Sequence, residues 1–599
     1  MTGLKMHRVF YAWVLLLAGP LFFDQATFAA AIPVELRQTE GGWQLLRNGE
    51  PYLIRGAGGS GSLERLAAAG ANSVRTWSVD GAEEILDEAH ELGMTVTVGI
   101  WLGHERHGFD YHDPSQVEAQ LQQAREAVLK YRDHPALLLW GLGNEMEGFE
   151  SGDDPVIWAA VNDIAAMVKE LDPNHPTMTV TAEIGGGRVE SLHKNSPEID
   201  IHGINSYGGA PTVAERLREG GGTKPYVITE FGPVGPWEMP TTDWGAPYEQ
   251  TSTQKADFYA RSYQQAIVEA DGQALGSYAF LWGTKMEGTA TWFGMTLNDG
   301  AKLGALDVMT EIWSGEAPPD LSPTIEPLVL DGPAALEPGA VFESSVDVAD
   351  PEDEDVVLKW VLRPESGEYL TGGDFRPLLP DIDGAVVEAA GNKATIRMPE
   401  EPGPYRLFAY AHDPAGNAAV ANIPLLVKGQ VRPRMPVFVY EDGFESMPWA
   451  PSGWIGNVDS LTLDGDYGEV TYQGPAAIRM HYTGRHNWVG VAWQNPPNNW
   501  GDQDGGFDLT GASALELWAR GEYGGEKVSF GVGLLENREY SDSAVVKTDT
   551  VALTSDWKRY RLSLEGEDLS SLKTGFVVTL QGRRSPVTIY LDNVRFIRE

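Results

Sequence analysis

Between residue 52 and about residue 315, short unbroken apolar runs alternate with stretches whose apolar positions recur every three or four residues. The apolar runs are NSVRTWS, MTVTVGIWL, ALLLWGLGNE, TMTVTAE, IDIHGINSYG, PYVITEFG and LGSYAFLWG, with a first strand near Tyr52–Gly56 ahead of them. Helical spacing is clearest in AEEILDEAHELG, where Ile85, Leu86, Ala89 and Leu92 share a face, in the span from Ser115 to about Tyr131, and in DPVIWAAVNDIAAMVKEL and KADFYARSYQQAIVEA. A hairpin, VELRQTEGGWQLLRNGEPYLIRG, precedes them, with turns at Glu40-Gly41-Gly42 and Asn48-Gly49. Continuous apolarity marks strands covered on both faces. Eight such strand–helix units in about 260 residues predict a (β/α)8 TIM barrel. An open doubly wound sheet is the rival, but the glycine-rich phosphate loop expected after its first strand is missing.

Beyond the barrel the period shortens to two. Segments such as DVVLKWVLRP, KATIRMP and YRLFAYAHD lie between Pro, Gly and Asp turns, followed by ALELWARG, KVSFGVGLL, TGFVVTL and VTIYLDNVRFIR. The Pro-rich stretches EAPPDLSPTIEP and KGQVRPRMP punctuate the pattern. The predicted organisation is a signal peptide at 1–30, the barrel with its hairpin at 32–315, a linker at 316–327, an Ig-like β-sandwich at 328–428, a linker at 429–436 and a β-jelly roll at 437–599. In the first segment Lys5 and Arg8 precede an apolar stretch and small residues, with cleavage expected near Ala29–Ala31. Its rival is an uncleaved anchor; nothing later approaches the ~18 apolar residues a membrane helix needs. The expectation is therefore a secreted or periplasmic protein with no membrane partner after cleavage.

The chain has no cysteine, so its stability rests on large cores rather than disulfides. A formal net charge of −42 argues against nucleic acid and anionic lipid as partners, and less firmly against anionic polysaccharides. Nineteen tryptophans suit flat apolar ligands such as sugar rings, although core packing explains many of them.

In a barrel the chemistry gathers at the C-terminal strand ends. Strand two delivers Arg75 and Trp77 there, strand three Trp101 and His104, and strand four Asn144 and Glu145. Strand six delivers Asn205 and Tyr207, strand seven Glu230 and strand eight Trp282. Alone, Asn144 and Glu145 read equally well as a helix cap. With Glu230 opposite, they suggest the carboxylate pair of a retaining glycosidase, whose members stand about 5–5.5 Å apart. One would attack the anomeric carbon; the other would protonate the leaving oxygen and then activate water. Arg75 and Tyr207 would support the nucleophile by charge and hydrogen bonds, Asn144 would hold the sugar 2-hydroxyl, and Trp282 would floor its subsite. Glu147, Trp237, Trp244, Lys285 and Trp292 fall in rim loops as further lining. His104, His107 and His112 share one loop without metal-site spacing, so substrate contact is expected and a catalytic metal is not.

NSVRTW, WGLGNE, GINSYG, ITEFG and FLWG, in this order, resemble clan A glycoside hydrolases, above all the family 2 barrel. The resemblance covers about residues 45–315. It implies that Glu145 is the acid/base, that Glu230 is the nucleophile and that no cofactor is required. Three features depart from it: only a hairpin precedes the barrel, Met146 stands where proline is common, and WGTKMEGTATWFGM replaces the usual family 2 ending.

In the last segment, HNWVGVAWQNPPNNWGDQDGGFDL sets Trp488, Trp493 and Trp500 among amides, chemistry suited to gripping sugars. With ALELWARG and YLDNVRF it resembles a carbohydrate-binding-module-like jelly roll. Asp592, with Glu441 and Asp442, offers carboxylates to a structural calcium. The expected function is a secreted retaining β-glycoside hydrolase acting on a neutral β-linked polysaccharide or oligosaccharide, β-glucan favoured. A glucan transglycosylase using the same glutamates, or a non-catalytic polysaccharide-binding protein, are the alternatives.

Overall fold

A computed structural model describes residues 31–598 except 149–151, 368, 370–375, 430–434, 445–446 and 486. The leader expected at 1–30, and most of the linker expected at 429–436, lie outside the described residues.

Eight parallel strands close into a barrel: β1 (Ile54–Gly59), β2 (Ser73–Arg75), β3 (Thr95–Ile100), β4 (Leu137–Asn144), β5 (Thr177–Ala182), β6 (Ile201–Asn205), β7 (Tyr226–Phe231) and β8 (Ala274–Trp282). The ring closes where Tyr278 of β8 pairs with Gly56 of β1. The first strand therefore begins two residues later than the pattern suggested. Between the strands run α1 (Leu63–Ala68), α2 (Ala82–Glu91), α3 (Pro114–Tyr131), α4 (Pro155–Leu171), α5 (Arg188–Asn195), α6 (Val213–Glu219) and α7 (Ser252–Tyr263), with α8 (Gly304–Ser314) after the last. Their starts are written locally. Asp113 accepts the Ser115 amide at 2.9 Å with Pro114 at the first helical position, and Thr251 and Gln254 form a reciprocal capping box. After Tyr263 the helix loosens into one π turn, Gln264–Val268.

Two apolar layers explain why the strands carry no polar alternation. Ile54, Leu139, Met178, Ile201, Val227 and Tyr278 cluster together, while Val74, Val96, Trp140 and Ile204 pack with helical residues such as Leu86, Val128 and Ile164. β4 is buried along its length up to Asn144, where polar residues begin. A closed barrel filled this way leaves its C-terminal mouth as the place for polar chemistry.

By its contacts the chain forms two compact units. One runs to Gly332 and takes in Phe342–Ile396 and Tyr405–Leu425; the other holds Pro333–Val341, Arg397–Pro404 and Leu426–Glu599. In the first unit, β-strands beyond the barrel form further sheets; Val357–Pro364 pairs antiparallel with Gly403–His412. The barrel takes part in this sheet, because Lys302 and Leu303, just before α8, pair with Asn417 and Ala418. The stretch 316–327 is packed around Ser322, Pro323 and Ile325. Ser322 is buried and donates its amide to Asp307 at 2.7 Å, and the Ile325 amide is bonded by Thr253 of α7 at 2.8 Å. The second unit is a β-sandwich of two six-stranded sheets. One is centred on Ala477–Tyr482, Val587–Ile597 and Ala514–Gly521, the other on Trp488–Gln494, Thr574–Gln581 and Lys527–Val532.

Candidate active site

The strand ends converge on a cavity of about 780 Å³ at the barrel mouth, lined by Arg75, Trp77, Trp101, His104, Asn144, Glu145, Asn205, Tyr207 and Glu230 among others. At its base three donors meet one carboxylate. Arg75 donates to Glu230 Oε1 at 3.0 Å, the Trp77 indole donates to the same oxygen at 2.8 Å, and the Tyr207 hydroxyl donates to Oε2 at 2.7 Å. Arg75 also reaches the Thr229 carbonyl at 2.9 Å and Asn144 Oδ1 at 2.7 Å. Trp77 fits because β1 has a glycine beside it: a Cβ on Gly58 would come within 2.8 Å of the indole.

Glu145 has other company. Its backbone adopts φ +52°, a left-handed conformation that costs an L-residue about 1–2 kcal/mol. Its amide is bonded to the Val180 carbonyl at 2.9 Å, and Asn205 donates to its carboxyl at 2.6 Å. Asn205 is itself fixed by Thr229, whose hydroxyl donates to its Oδ1 at 2.8 Å. Burial first, and then the negative charge of Glu230, push the Glu145 carboxyl up to about 8. Tyr207 is raised well above the usual phenol value by burial and by the Glu230 charge, so it stays a donor.

Two of the aromatic expectations are corrected. Trp282 and Trp292 are each only 1% exposed and are not among the residues lining the cavity. The Trp282 indole donates to the Ser62 carbonyl at 3.1 Å, and that of Trp292 to the Val234 carbonyl at 2.9 Å. Each ring turns into a neighbouring loop, which satisfies its N–H and buries its faces. Glu147 is also buried, accepting the Ala182 amide at 2.8 Å and Arg188 at 3.0 Å. The cavity wall instead takes Trp237 and Lys285 from the rim, together with Glu183, Arg188, Glu238 and Glu287, which the strand-end survey passed over. Glu183 follows β5 directly, so the same survey extended to strand five would have found it. Glu238 and Glu287 sit in long loops whose course no periodicity encodes.

In the second unit Trp493 lies in the core, fully buried against Phe576, and cannot meet a ligand. It faces inward because it alternates with exposed Trp488 along one strand by an odd number of positions. Trp500 is half-buried and donates to Asn498 at 3.1 Å. Two of the carboxylates expected to hold calcium lie near one another, Asp442 acting electrostatically on Asp592. Asp592 spends its carboxylate on the Tyr472 and Gln473 amides, at 2.7 and 3.2 Å, while Glu441 and Asp442 are exposed. Among the described residues no group of three or more His, Asp or Glu side chains is arranged to hold a metal ion, the 104–112 histidines included; His104 instead stacks on Trp101.

The closed eight-stranded barrel, with this motif order and strand-end set, is similar to the barrel of clan A glycoside hydrolases. Residues 62–263 match the family model described as glycosyl hydrolases family 2, TIM barrel domain, and the barrel is accordingly family 2-like. Among curated relatives, a probable mannan endo-1,4-beta-mannosidase C of Aspergillus terreus is 26% identical over 162 residues, covering 23% of this chain and 39% of the relative. A beta-glucuronidase of Bacteroides fragilis is 29% identical over 117 residues, covering 15% of this chain and 16% of the relative. This chain thus spans well under half the length of either. Among solved structures, the beta-glucuronidase of Ruminococcus gnavus is 17% identical with a TM-score of 0.38, covering 48% of this chain and 53% of that one.

Proposed function

We propose that this protein is a secreted retaining β-glycoside hydrolase that cleaves a neutral β-linked polysaccharide by double displacement. Glu230 is the nucleophile and Glu145 the acid/base. The asymmetry of the two carboxyls carries this reading: three donors face the charge of Glu230, whereas Glu145 is buried, has Asn205 as its donor and holds its proton to about pH 8. A carboxyl that is still protonated at neutral pH can give its proton to the leaving oxygen. After glycosyl transfer to Glu230, the Glu145 carboxylate accepts a proton from water as that water attacks the glycosyl-enzyme. The two carboxyls suffice for both steps, with no cofactor required. Asn144, whose side-chain oxygen accepts from Arg75 at 2.7 Å, holds the sugar 2-hydroxyl in this reading.

The relatives point to two substrate chemistries, a neutral mannan and an anionic glucuronide. The cavity favours the neutral class, because Arg75, Arg188 and Lys285 already face Glu230, Glu147 and Glu287 within 3.0 Å. A substrate carboxylate reaching any of these three would compete with an existing pair, which leaves Arg106 as the remaining cation of the lining. A β-glucan or a β-mannan is therefore the substrate, and exposed Trp488 with Trp500 gives the C-terminal sandwich a surface for holding the polymer.

The test is product release from soluble neutral β-glucans, β-mannans, xylans and galactans, with the anomeric configuration followed by NMR for the wild type and Glu230→Ala. A β-configured product appearing first, from the wild type alone, is expected. Release undiminished in Glu230→Ala, or an α product first, sinks the assignment. Adding an acceptor sugar to the same assay separates hydrolysis from transglycosylation.

A further inference from the structure

Two indoles in the cavity stand out by their exposure. Trp101 is 43% and Trp237 47% exposed, whereas Trp140, Trp158, Trp282, Trp292 and Trp313 of the same unit are all buried. Trp101 follows β3 and Trp237 lies in the loop after β7. In the closed ring β3 and β7 are four strands apart, so the two rings stand on opposite walls of the mouth. Leaving apolar rings in water forgoes about 25 cal/mol per Å². Two such rings in one cavity, both braced, ask for a ligand.

The bracing is specific. The His104 ring lies parallel to Trp101, 4.7 Å away and tilted by 3°, and His107 stacks behind it at 5.6 Å. Trp237 stands perpendicular to the Tyr207 ring at 5.5 Å and tilted against Phe293 at 6.3 Å. Tyr207 is also the phenol that donates to Glu230, so one side chain sets both the second indole and the nucleophile. An indole supported on one face presents the other, and the C–H face of a pyranose is a flat apolar surface that stacks on it. The volume of about 780 Å³ sits high in the range of about 300–1,000 Å³ typical of small-ligand pockets, with room for more than one ring.

We propose that Trp101 and Trp237 are sugar platforms on either side of the Glu145–Glu230 pair, seating separate units of one chain that crosses the barrel mouth, so that the cut falls inside the chain and not at its end. This rests on the catalytic reading above for the position of the cut, but not for the binding.

The experiment separates the two. Full-length Glu230→Gln is titrated calorimetrically with β-1,4-linked gluco- and manno-oligosaccharides from disaccharide to hexasaccharide. Affinity is expected to climb with length, and adding Trp101→Ala or Trp237→Ala to weaken hexasaccharide binding about tenfold each, or ~1.4 kcal/mol. Phe at either position, which keeps a ring, should restore most of it. Both side chains are exposed, so an unchanged Tm shows the variants folded. Affinity that is flat with length, or either Ala variant binding the hexasaccharide as tightly as its parent, overturns the platforms. If wild-type protein turns over nothing while these losses are seen, the catalytic reading falls and the platforms stand. If wild type clips an end-labelled hexasaccharide only from its terminus, the internal cut is overturned.

Discussion

Glu145 and Glu230 are the same side chain in opposite surroundings, and the difference has a measurable pH signature. With its carboxyl raised from 4.5 to about 8, Glu145 is protonated through neutrality. The basic limb of kcat/KM should therefore fall near pH 8, and it should weaken for aryl glycosides whose leaving group needs no proton. Glu230→Gln removes one of the two main causes, so the Glu145 carboxyl, followed by NMR, should titrate lower in that variant, burial still holding it above 4.5. The linkage has a definite sign. The folded chain keeps a proton that the unfolded chain releases, so this group's contribution to stability declines as pH rises from about 4.5 to about 8. Tyr207→Phe removes a hydrogen bond to a charged group, worth about 1.5–3 kcal/mol. A fall in kcat of roughly ten- to hundredfold with little change in Tm is expected; an unchanged kcat would free Tyr207 from this role.

Strands and loops were unequally legible. Arg75, Asn144, Glu145, Asn205, Tyr207 and Glu230 follow from strand ends, because a barrel strand fixes where its last residues point. Trp282, Trp292 and Trp493 do not, because an indole at the very end of a strand, in the long loop beyond it, or out of phase along it, turns to whichever neighbour accepts its N–H or covers its ring. That choice belongs to contacts far apart in sequence. The loops after β7 and β8, which carry Trp237 and Lys285, have such contacts. Arg406 and Glu365, both buried, pair at 2.8 Å, and Arg406 also donates to the Pro247 carbonyl at 2.8 Å. Ser366 donates to the Gly288 carbonyl at 3.0 Å. Arg406→Met strands the Glu365 charge and should cost about 3–5 kcal/mol in urea unfolding. Arg406→Met with Glu365→Leu should recover much of that loss; no recovery would mean the loss lies in the Asn422 and Pro247 hydrogen bonds and not in the charge.

Across the full chain the acidic excess acts on every element at once. A net charge of −42 over 599 residues means self-repulsion in the folded state, screened over a Debye length of about 8 Å at physiological salt. The Tm should rise as salt is added from a few millimolar to about 0.15 M, as checked by calorimetry at pH 7; a Tm independent of salt would show the charges already locally compensated. The division of the chain was read from its Pro-rich stretches, which mark where periodic structure stops but do not reveal whether the chain there is covered. Around Ser322 it is covered.

Lys302 and Leu303 lie between the last barrel strand and the last barrel helix, yet their hydrogen-bonded partners are Asn417 and Ala418. An evolutionary or engineered cut at residue 316 would therefore not yield two finished pieces. The barrel half would carry away an edge of the neighbouring sheet, and the remainder would expose a raw β-edge of the kind that recruits other chains. Grafting this barrel into another enzyme, or exchanging its neighbour, has to move the two together as a single heritable block.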